Sequence, residues 1–148
     1  MVNRLSYLNH STLAADIGNV PDYVLIVDDD RLFAQTVCHA LQADGVVAVP
    51  VSTGAQALAV IDKFRPRLIL LDLRMPTMDG EHFLGILKSQ PMLASIPLII
   101  VSAKMNDAEA SELTALGAVA AIGKNAGTLA QLRGLVKRFV GDGKTKAA

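Results

Sequence analysis

The sequence predicts an α/β fold in which a doubly wound parallel sheet of five strands, in the order 2-1-3-4-5, is flanked by five helices. Two observations indicate this fold class. Along the 148 residues, short apolar segments of strand length alternate with longer segments of helical periodicity, as in consecutive βαβ crossovers. The chain is 51% hydrophobic but only 4% aromatic, which is typical of the aliphatic interior of a parallel sheet with helices on both faces.

The predicted domain is organised around the third strand, Leu68–Leu71. Its four consecutive apolar residues are too few for a helix and fit a strand that is buried on both faces. Asp72 follows directly, and Pro76 and the pair Asp79-Gly80 indicate a turn into a helix. Ligands of open α/β sheets bind beyond the C-terminal ends of the strands, so Asp72 is a candidate site residue.

The first strand, Tyr23–Val27, ends in three consecutive acidic residues, Asp28, Asp29 and Asp30. A segment of helical periodicity that includes Leu32 follows them. Asp30 is expected to cap the N-terminus of this helix. One cap cannot use all three acids, and like charges in contact need a cation, so we predict a metal site at Asp28 and Asp29.

The remaining elements continue the alternation. We predict further strands at residues 46–51, 97–101 and 118–122, and helices that end at Arg65, span residues 81–89, begin at Asn106 and begin at Thr128. In the predicted strand order, strands 1 and 3 are neighbours at the point where the order reverses. Asp28, Asp29 and Asp72 therefore meet at one sheet edge, where Ser102 and Lys124 arrive from the ends of strands 4 and 5.

Composition limits the classes of function. The 14 basic and 14 acidic residues balance, so no overall field favours nucleic acid or an anionic membrane. The single cysteine, Cys38, excludes an internal disulfide, and no apolar segment approaches a membrane span. We expect a soluble cytoplasmic protein without membrane insertion, with an extension at residues 1–21, one domain at 22–140 and a flexible tail at 141–148.

The residues that meet at the sheet edge suit phosphoryl transfer to a carboxylate. Mg²⁺ is commonly held by one or two carboxylates plus phosphate oxygens, which fits Asp28 and Asp29. Asp72 can act as the nucleophile that forms an aspartyl phosphate. Lys124 can neutralise the charge that develops on the phosphoryl oxygens, and the Ser102 hydroxyl can donate a hydrogen bond to one of them.

Residues 23–140 resemble the receiver domain of response regulators, the phosphoacceptor module of two-component signalling, which has a flavodoxin-like fold. The segments that carry the resemblance are residues 24–30, 70–80, 100–103 and 123–124. The resemblance implies that Asp72 accepts the phosphoryl group and that Ser102 and Lys124 bind its oxygens. It also implies a magnesium site made of three carboxylates and one main-chain carbonyl, those of Asp28, Asp29, Asp72 and Arg74.

Two positions depart from the family pattern. The family often has an aromatic residue just before the lysine that swings inward on activation, whereas this chain has Ala121 there, and Asn125 replaces a proline. The resemblance implies a histidine kinase or histidine phosphotransfer protein as donor. A downstream protein would read the face made by the helix after strand 4, strand 5 and the last helix, with no direct nucleic-acid contact.

Three alternatives remain open from the sequence. A receiver-like adaptor could work without phosphorylation, and Ala121 keeps this hypothesis open. A phosphatase of the haloacid dehalogenase type also uses a strand-end aspartate with magnesium, but it needs a second acid where Arg74 stands, so we expect a phosphoacceptor and not a turnover enzyme. Residues 1–21 carry Leu5, Leu8 and Leu13 at loosely helical spacing, which leaves a docking or homodimer-forming helix as the alternative to a plain extension.

Overall fold

The computed structural model describes residues 22–74 and 80–140, except for the side chains of residues 80 and 81. All strand pairs are parallel and the strand order is β2-β1-β3-β4-β5, which confirms the predicted fold class. The five strands are β1 Tyr23–Val27, β2 Val47–Val51, β3 Leu68–Leu71, β4 Leu98–Ser102 and β5 Ala120–Gly123.

Within residues 22–74 and 80–140, six helices connect and flank the strands. They are α1 Arg31–Ala43, α2 Gly54–Lys63, α3 Gly80–Ser89, α4 Pro91–Ala94, α5 Asp107–Ala115 and α6 Thr128–Val140. The single-turn helix α4 is one more than the sequence predicts. Its first residue is Pro91, two residues after the predicted helix over residues 81–89 ends, and proline is favoured at the first position of a helix.

The sheet separates two hydrophobic cores. Alternate residues of each strand point to opposite faces, so Tyr23, Leu25 and Val27 of β1 belong to one core and Val24 and Ile26 to the other. Helices α2 and α3 and part of α5 cover the first face, and α1 and α6 cover the second. This double layer fully buries the inner strands β1, β3 and β4, as their continuous apolar sequences predict, whereas the edge strands β2 and β5 are only partly buried.

Hydrogen bonds from side chains define where several helices begin. The Asp30 carboxylate accepts the N–H of Phe33 at the start of α1, which confirms the predicted cap. Thr53 and Asn106 cap α2 and α5 in the same way. These caps fix the strand-to-helix turns on the edge of the sheet where the acidic residues lie.

Two local predictions were wrong. Leu32 was included in the helical periodicity of the first helix, but it is 76% exposed. The fully buried positions of α1 begin at Ala34, and a residue two positions earlier lies about 200° around the helix, on the opposite side. The fifth strand begins two residues later than predicted, at Ala120. Val119 already donates its N–H to the Leu98 carbonyl at 2.8 Å, but its side chain is exposed.

Several sequence predictions fall on residues 1–21, 75–79 and 141–148, which lie outside the described residues. They concern the extension, the turn after β3 and the tail. Among the described helices, none is long and apolar enough to cross a membrane.

Candidate functional site

The C-terminal ends of β1 and β3 place two carboxylates side by side. Val27 and Leu71 are register partners in the β1–β3 pair, and Asp28 and Asp72 are the residues that follow them. The Asp72 N–H donates to the Val27 carbonyl at 2.9 Å, and the Asp28 N–H donates to the β2 residue Val51 at 3.1 Å. The sheet ladder therefore continues into the site and holds both backbones in place.

Asp28, Asp29 and Asp72 form one acidic cluster, as predicted. One oxygen from each carboxylate lies within 4.8 Å of the other two. Asp28 and Asp72 are buried, whereas Asp29 is exposed. Carboxylate oxygens are the ligands that Mg²⁺ prefers, and burial of two like charges favours a cation beside them, so the donor set fits the predicted metal.

Lys124 brings a positive charge from the end of β5 to the acidic cluster. Its Nζ atom lies 2.8 Å from Oδ2 of Asp28 and 3.8 Å from Oδ2 of Asp72. The Lys124 N–H donates to the Ser102 carbonyl at 2.8 Å, which ties the residue to the end of β4. One ammonium faces three carboxylates, so the cluster keeps a net negative charge.

Burial is the main influence on the acidity of Asp72. The pKa of this carboxyl is raised from 3.8 to about 6, mostly by burial and to a smaller extent by the neighbouring Asp28. The Arg74 N–H, which donates to Oδ1 of Asp72 at 3.1 Å, and the charge of Lys124 both lower the pKa. Repulsion and desolvation therefore outweigh the single lysine.

Ser102 places a buried hydroxyl at the end of β4. The residue is buried, and among the described residues its Oγ atom has no hydrogen-bond partner. Buried hydroxyl groups are nearly always hydrogen-bonded, so a group without a partner needs an explanation. A ligand oxygen at the site could supply that partner.

The structure adds two residues that sequence reasoning did not assign to the site. The Lys124 ammonium lies 4.4 Å from the centre of the Phe33 ring on α1, a cation–π contact. The buried Thr128 hydroxyl donates to the Gly123 carbonyl and accepts the Asn125 N–H, and so closes the turn that carries Lys124. Thr128 could have been identified as a cap from its spacing to Asn125, but no local pattern pairs Phe33 with Lys124.

The two remaining predicted positions take different places. Arg74 is exposed and its guanidinium lies 4.0 Å from Glu109 of α5, while the role of its carbonyl as a metal ligand stays a prediction. Ala121 is half-buried and packs, like Met105 of the β4–α5 loop, against the core on the α2–α3 side.

A comparison with protein families decides the assignment. The model of the response regulator receiver domain matches residues 24–137. The chain belongs to this family. The match confirms the predicted resemblance. Receiver domains generally act in two-component signalling as phosphoacceptors and bind Mg²⁺ at an acidic pocket.

Curated relatives share the receiver domain within longer proteins. The DNA-binding response regulator MtrA of Mycolicibacterium paratuberculosis is 32% identical over 81 residues, which are 55% of this chain and 35% of that protein. The protein-glutamate methylesterase/protein-glutamine glutaminase 3 of Rhodospirillum rubrum is 37% identical over 129 residues, 84% of this chain and 34% of that protein. The present chain thus spans about a third of the length of these relatives.

Solved receiver structures share the fold. The receiver domain of a signal transduction histidine kinase from Syntrophus aciditrophicus has a TM-score of 0.70 at 30% identity, with 86% of this chain and 95% of that chain covered. The receiver domain of the putative Luxo repressor protein from Vibrio parahaemolyticus gives 0.74 at 26% identity, with coverage of 84% and 94%. The phosphorylated cyanobacterial phytochrome response regulator RcpA gives 0.68 at 29% identity, with coverage of 87% and 98%.

Proposed function

We propose that Asp72 of this receiver domain accepts a phosphoryl group from a histidine kinase or histidine phosphotransfer protein in the cytoplasm, and that the domain then signals by protein contact. The observation that carries the proposal is the arrangement of the Asp28 and Asp72 carboxylates around the Lys124 ammonium, beside the Ser102 hydroxyl that lacks a described partner. The structure of phosphorylated RcpA belongs to a similar protein, which supports the same chemistry here.

The transfer step follows from the two oxygens of Asp72. Oδ1 accepts the Arg74 N–H, whereas Oδ2 is directed toward Lys124, so we assign the attack to Oδ2. This oxygen forms a bond to phosphorus as the phosphorus–nitrogen bond of the donor phosphohistidine breaks, and the bonding electron pair stays on the imidazole nitrogen. The transition state spreads charge over the equatorial phosphoryl oxygens, and Lys124 can move from Asp28 to stabilise them.

Asp28, Asp29 and Asp72, together with the carbonyl of Arg74, would hold Mg²⁺. The bound ion would supply charge neutralisation for the phosphoryl oxygens. The protein's own contribution is to fix the Asp28 carboxylate: its Oδ1 accepts the Asp30 N–H at 2.9 Å and its Oδ2 faces Lys124. Asp29 is exposed and free of such constraint from burial, so it can adjust to the ion.

Ser102 and Lys124 would link phosphorylation to the surface. Hydrogen bonds to a phosphoryl oxygen are charge-assisted and stronger than neutral ones, so the Ser102 hydroxyl should turn toward the phosphorylated Asp72. Ala121 has no ring that could fill the space this movement leaves. We therefore assign the conformational change to the backbone of residues 102–104 and the start of α5, and the binding of a downstream protein to the face made by α5, β5 and α6.

The proposal also includes the boundaries of the unit that performs this chemistry. We propose that residues 22–140 form the receiver domain, with residues 1–21 as an N-terminal extension and residues 141–148 as a tail. The support is that described residues from Tyr23 to Val140 build two hydrophobic cores and that the family model matches residues 24–137.

Incubation of the protein with acetyl phosphate and Mg²⁺, followed by intact-mass measurement, tests the proposal. We expect a gain of one phosphoryl group that is lost in Asp72→Asn and retained in Asp62→Asn, a control with the same charge change on α2. If neither the unmodified chain nor Asp62→Asn gains a phosphoryl group at any time point, the result would support the adaptor that works without phosphorylation. The observation that favours this adaptor is that Ala121 stands where the family often has an aromatic ring.

A further inference from the structure

A groove on the surface between α2 and the α3–α4 segment is unrelated to the acidic site. Its volume is about 690 Å³, which is enough to admit several side chains. The lining is mostly apolar, and its large apolar side chains are those of Leu58, Ile61, Ile86, Met92 and Leu93. Met92 is 77% exposed, so the groove presents a large apolar side chain to solvent at one wall.

Hydrogen bonds and core contacts fix the positions of the two walls of the groove. The Arg65 guanidinium, which follows α2, donates hydrogen bonds to the Met92 carbonyl and to the Ser95 hydroxyl at the end of α4. Leu58 and Leu93 also pack against the hydrophobic core on this side of the sheet. These hydrogen bonds join the end of α2 to α4, so the groove is a formed feature of the fold.

The described chain begins beside this groove. Asp22, the first described residue, pairs with Arg67 at 3.9 Å. The next residue, Tyr23, donates its hydroxyl proton to the Phe64 carbonyl, and its own carbonyl accepts the Arg67 N–H at 2.9 Å. Phe64 is adjacent to Arg65 in the chain, so the first described residues, Asp22 and Tyr23, lie near the Arg65 end of the groove.

We propose that this groove is the docking site of the chain's own N-terminal segment, residues 5–17. The segment carries four apolar side chains at near-helical spacing, Leu5, Leu8, Leu13 and Ile17. As a helix it would be about 20 Å long. Residues 18–21, when extended, reach at most about 13 Å, which brings Ile17 and Leu13 to the groove but limits access to more distant faces.

Attachment makes the chain's own segment the favoured occupant. Because the segment is tethered at Asp22, its effective concentration at the groove is in the millimolar range of short linkers. Burial of its apolar side chains against those of the groove supplies the favourable free energy. The groove lies on the α2–α3 side, so the docked segment leaves the proposed α5–β5–α6 output face uncovered.

Paramagnetic broadening in the full-length chain tests the proposal. A nitroxide attached at Asn9→Cys would be specific, because Cys38 is buried and burial raises the pKa of its thiol to about 11. We expect loss of the amide signals of residues 58–65 and 86–93, with those of α6 retained. Broadening at another face, or none beyond the neighbourhood of the label, would overturn the proposal.

Two substitutions and a mixed sample complete the experiment. Met92→Asp should restore the groove signals, since it places a charge in the groove without disturbing the core, whereas Leu116→Asp, on the exposed Leu116 outside the groove, should leave the broadening unchanged. Equal restoration by both would refute the docking site. Isotope-labelled chains without nitroxide, mixed with unlabelled spin-labelled chains, should show no groove broadening. If they do, a second copy binds there and the intramolecular proposal is wrong.

Discussion

Replacing Asp72 with asparagine should stabilise the metal-free protein. The amide keeps the shape of the side chain and an oxygen that can accept the Arg74 N–H, but it removes a buried negative charge next to Asp28. The ion pair between Lys124 and Asp28 at 2.8 Å remains. The substitution therefore removes repulsion and desolvation without breaking the main contact of the site.

The size of the effect follows from the pKa of Asp72. Folding raises this pKa from 3.8 to about 6, so between these values the folded chain binds more protons than the unfolded chain, and the free energy of unfolding falls as the pH rises. Above about pH 6 the whole cost is present. Since one pKa unit corresponds to about 1.4 kcal/mol, the shift sets an upper limit of about 3 kcal/mol on the cost at pH 7. Screening by solvent reduces this value, and the cost disappears below about pH 4.

Urea unfolding in a metal-chelating buffer, followed by circular dichroism because the chain has no tryptophan, measures the effect. At pH 7 the Asp72→Asn variant should be more stable than the unmodified chain by up to about 3 kcal/mol, and near pH 4 the two should agree within about 0.5 kcal/mol. Asp29→Asn is the matched control, because the same charge change at an exposed position should shift stability much less.

Two outcomes would contradict this reasoning. A less stable Asp72→Asn at pH 7 would mean that the carboxylate contributes favourable contacts that exceed its burial cost. A gain of equal size at pH 4 and pH 7 would mean that the gain does not come from the ionisation of Asp72.

Three further predictions concern the ion, the lysine and the route of the signal. Mg²⁺ should raise the thermal unfolding temperature by binding only the folded state, and Asp29→Ala should abolish the increase; an unchanged affinity in that variant would show that the metal site is misplaced. Phe33→Leu should slow phosphorylation by acetyl phosphate about two- to fivefold, the rate equivalent of a cation–π contact of about 0.5–1 kcal/mol, and no change would mean that the ring does not position Lys124. Beryllium fluoride with Mg²⁺ should alter amide exchange in residues 102–124; changes confined to α1 and α2 would exclude the proposed output route.

Local sequence patterns determined most of the architecture. Continuous apolar segments such as Leu68–Leu71 predict buried parallel strands because both faces of such a sheet are covered. Alternation with helical periodicity then predicts the crossovers and the strand order. The acidic cluster could be predicted for the same reason, since Asp28 and Asp72 each follow a strand directly and parallel neighbours end at one edge of the sheet.

Some local features were misjudged because two structures compete for the same pattern. Leu32 fits the helical periodicity, but it lies about 200° around α1 from the buried Ala34 and so faces away from the core. Pro91 both ends one helix and begins another. In both cases packing against the rest of the fold decides between the alternatives.

The tertiary structure alone decided how the charges and the ring pair within the site. Lys124 contacts Asp28 and Phe33, partners that are distant in the chain, and no periodicity of the sequence relates these positions. That no described residue pairs with the Ser102 hydroxyl is likewise a result of the packing around it and follows from no sequence pattern. The sequence determined which groups reach the edge of the sheet, because each lies at the end of a strand that the local pattern predicts. Distances and burial, which set the pKa of Asp72, depend instead on the packing of the whole domain.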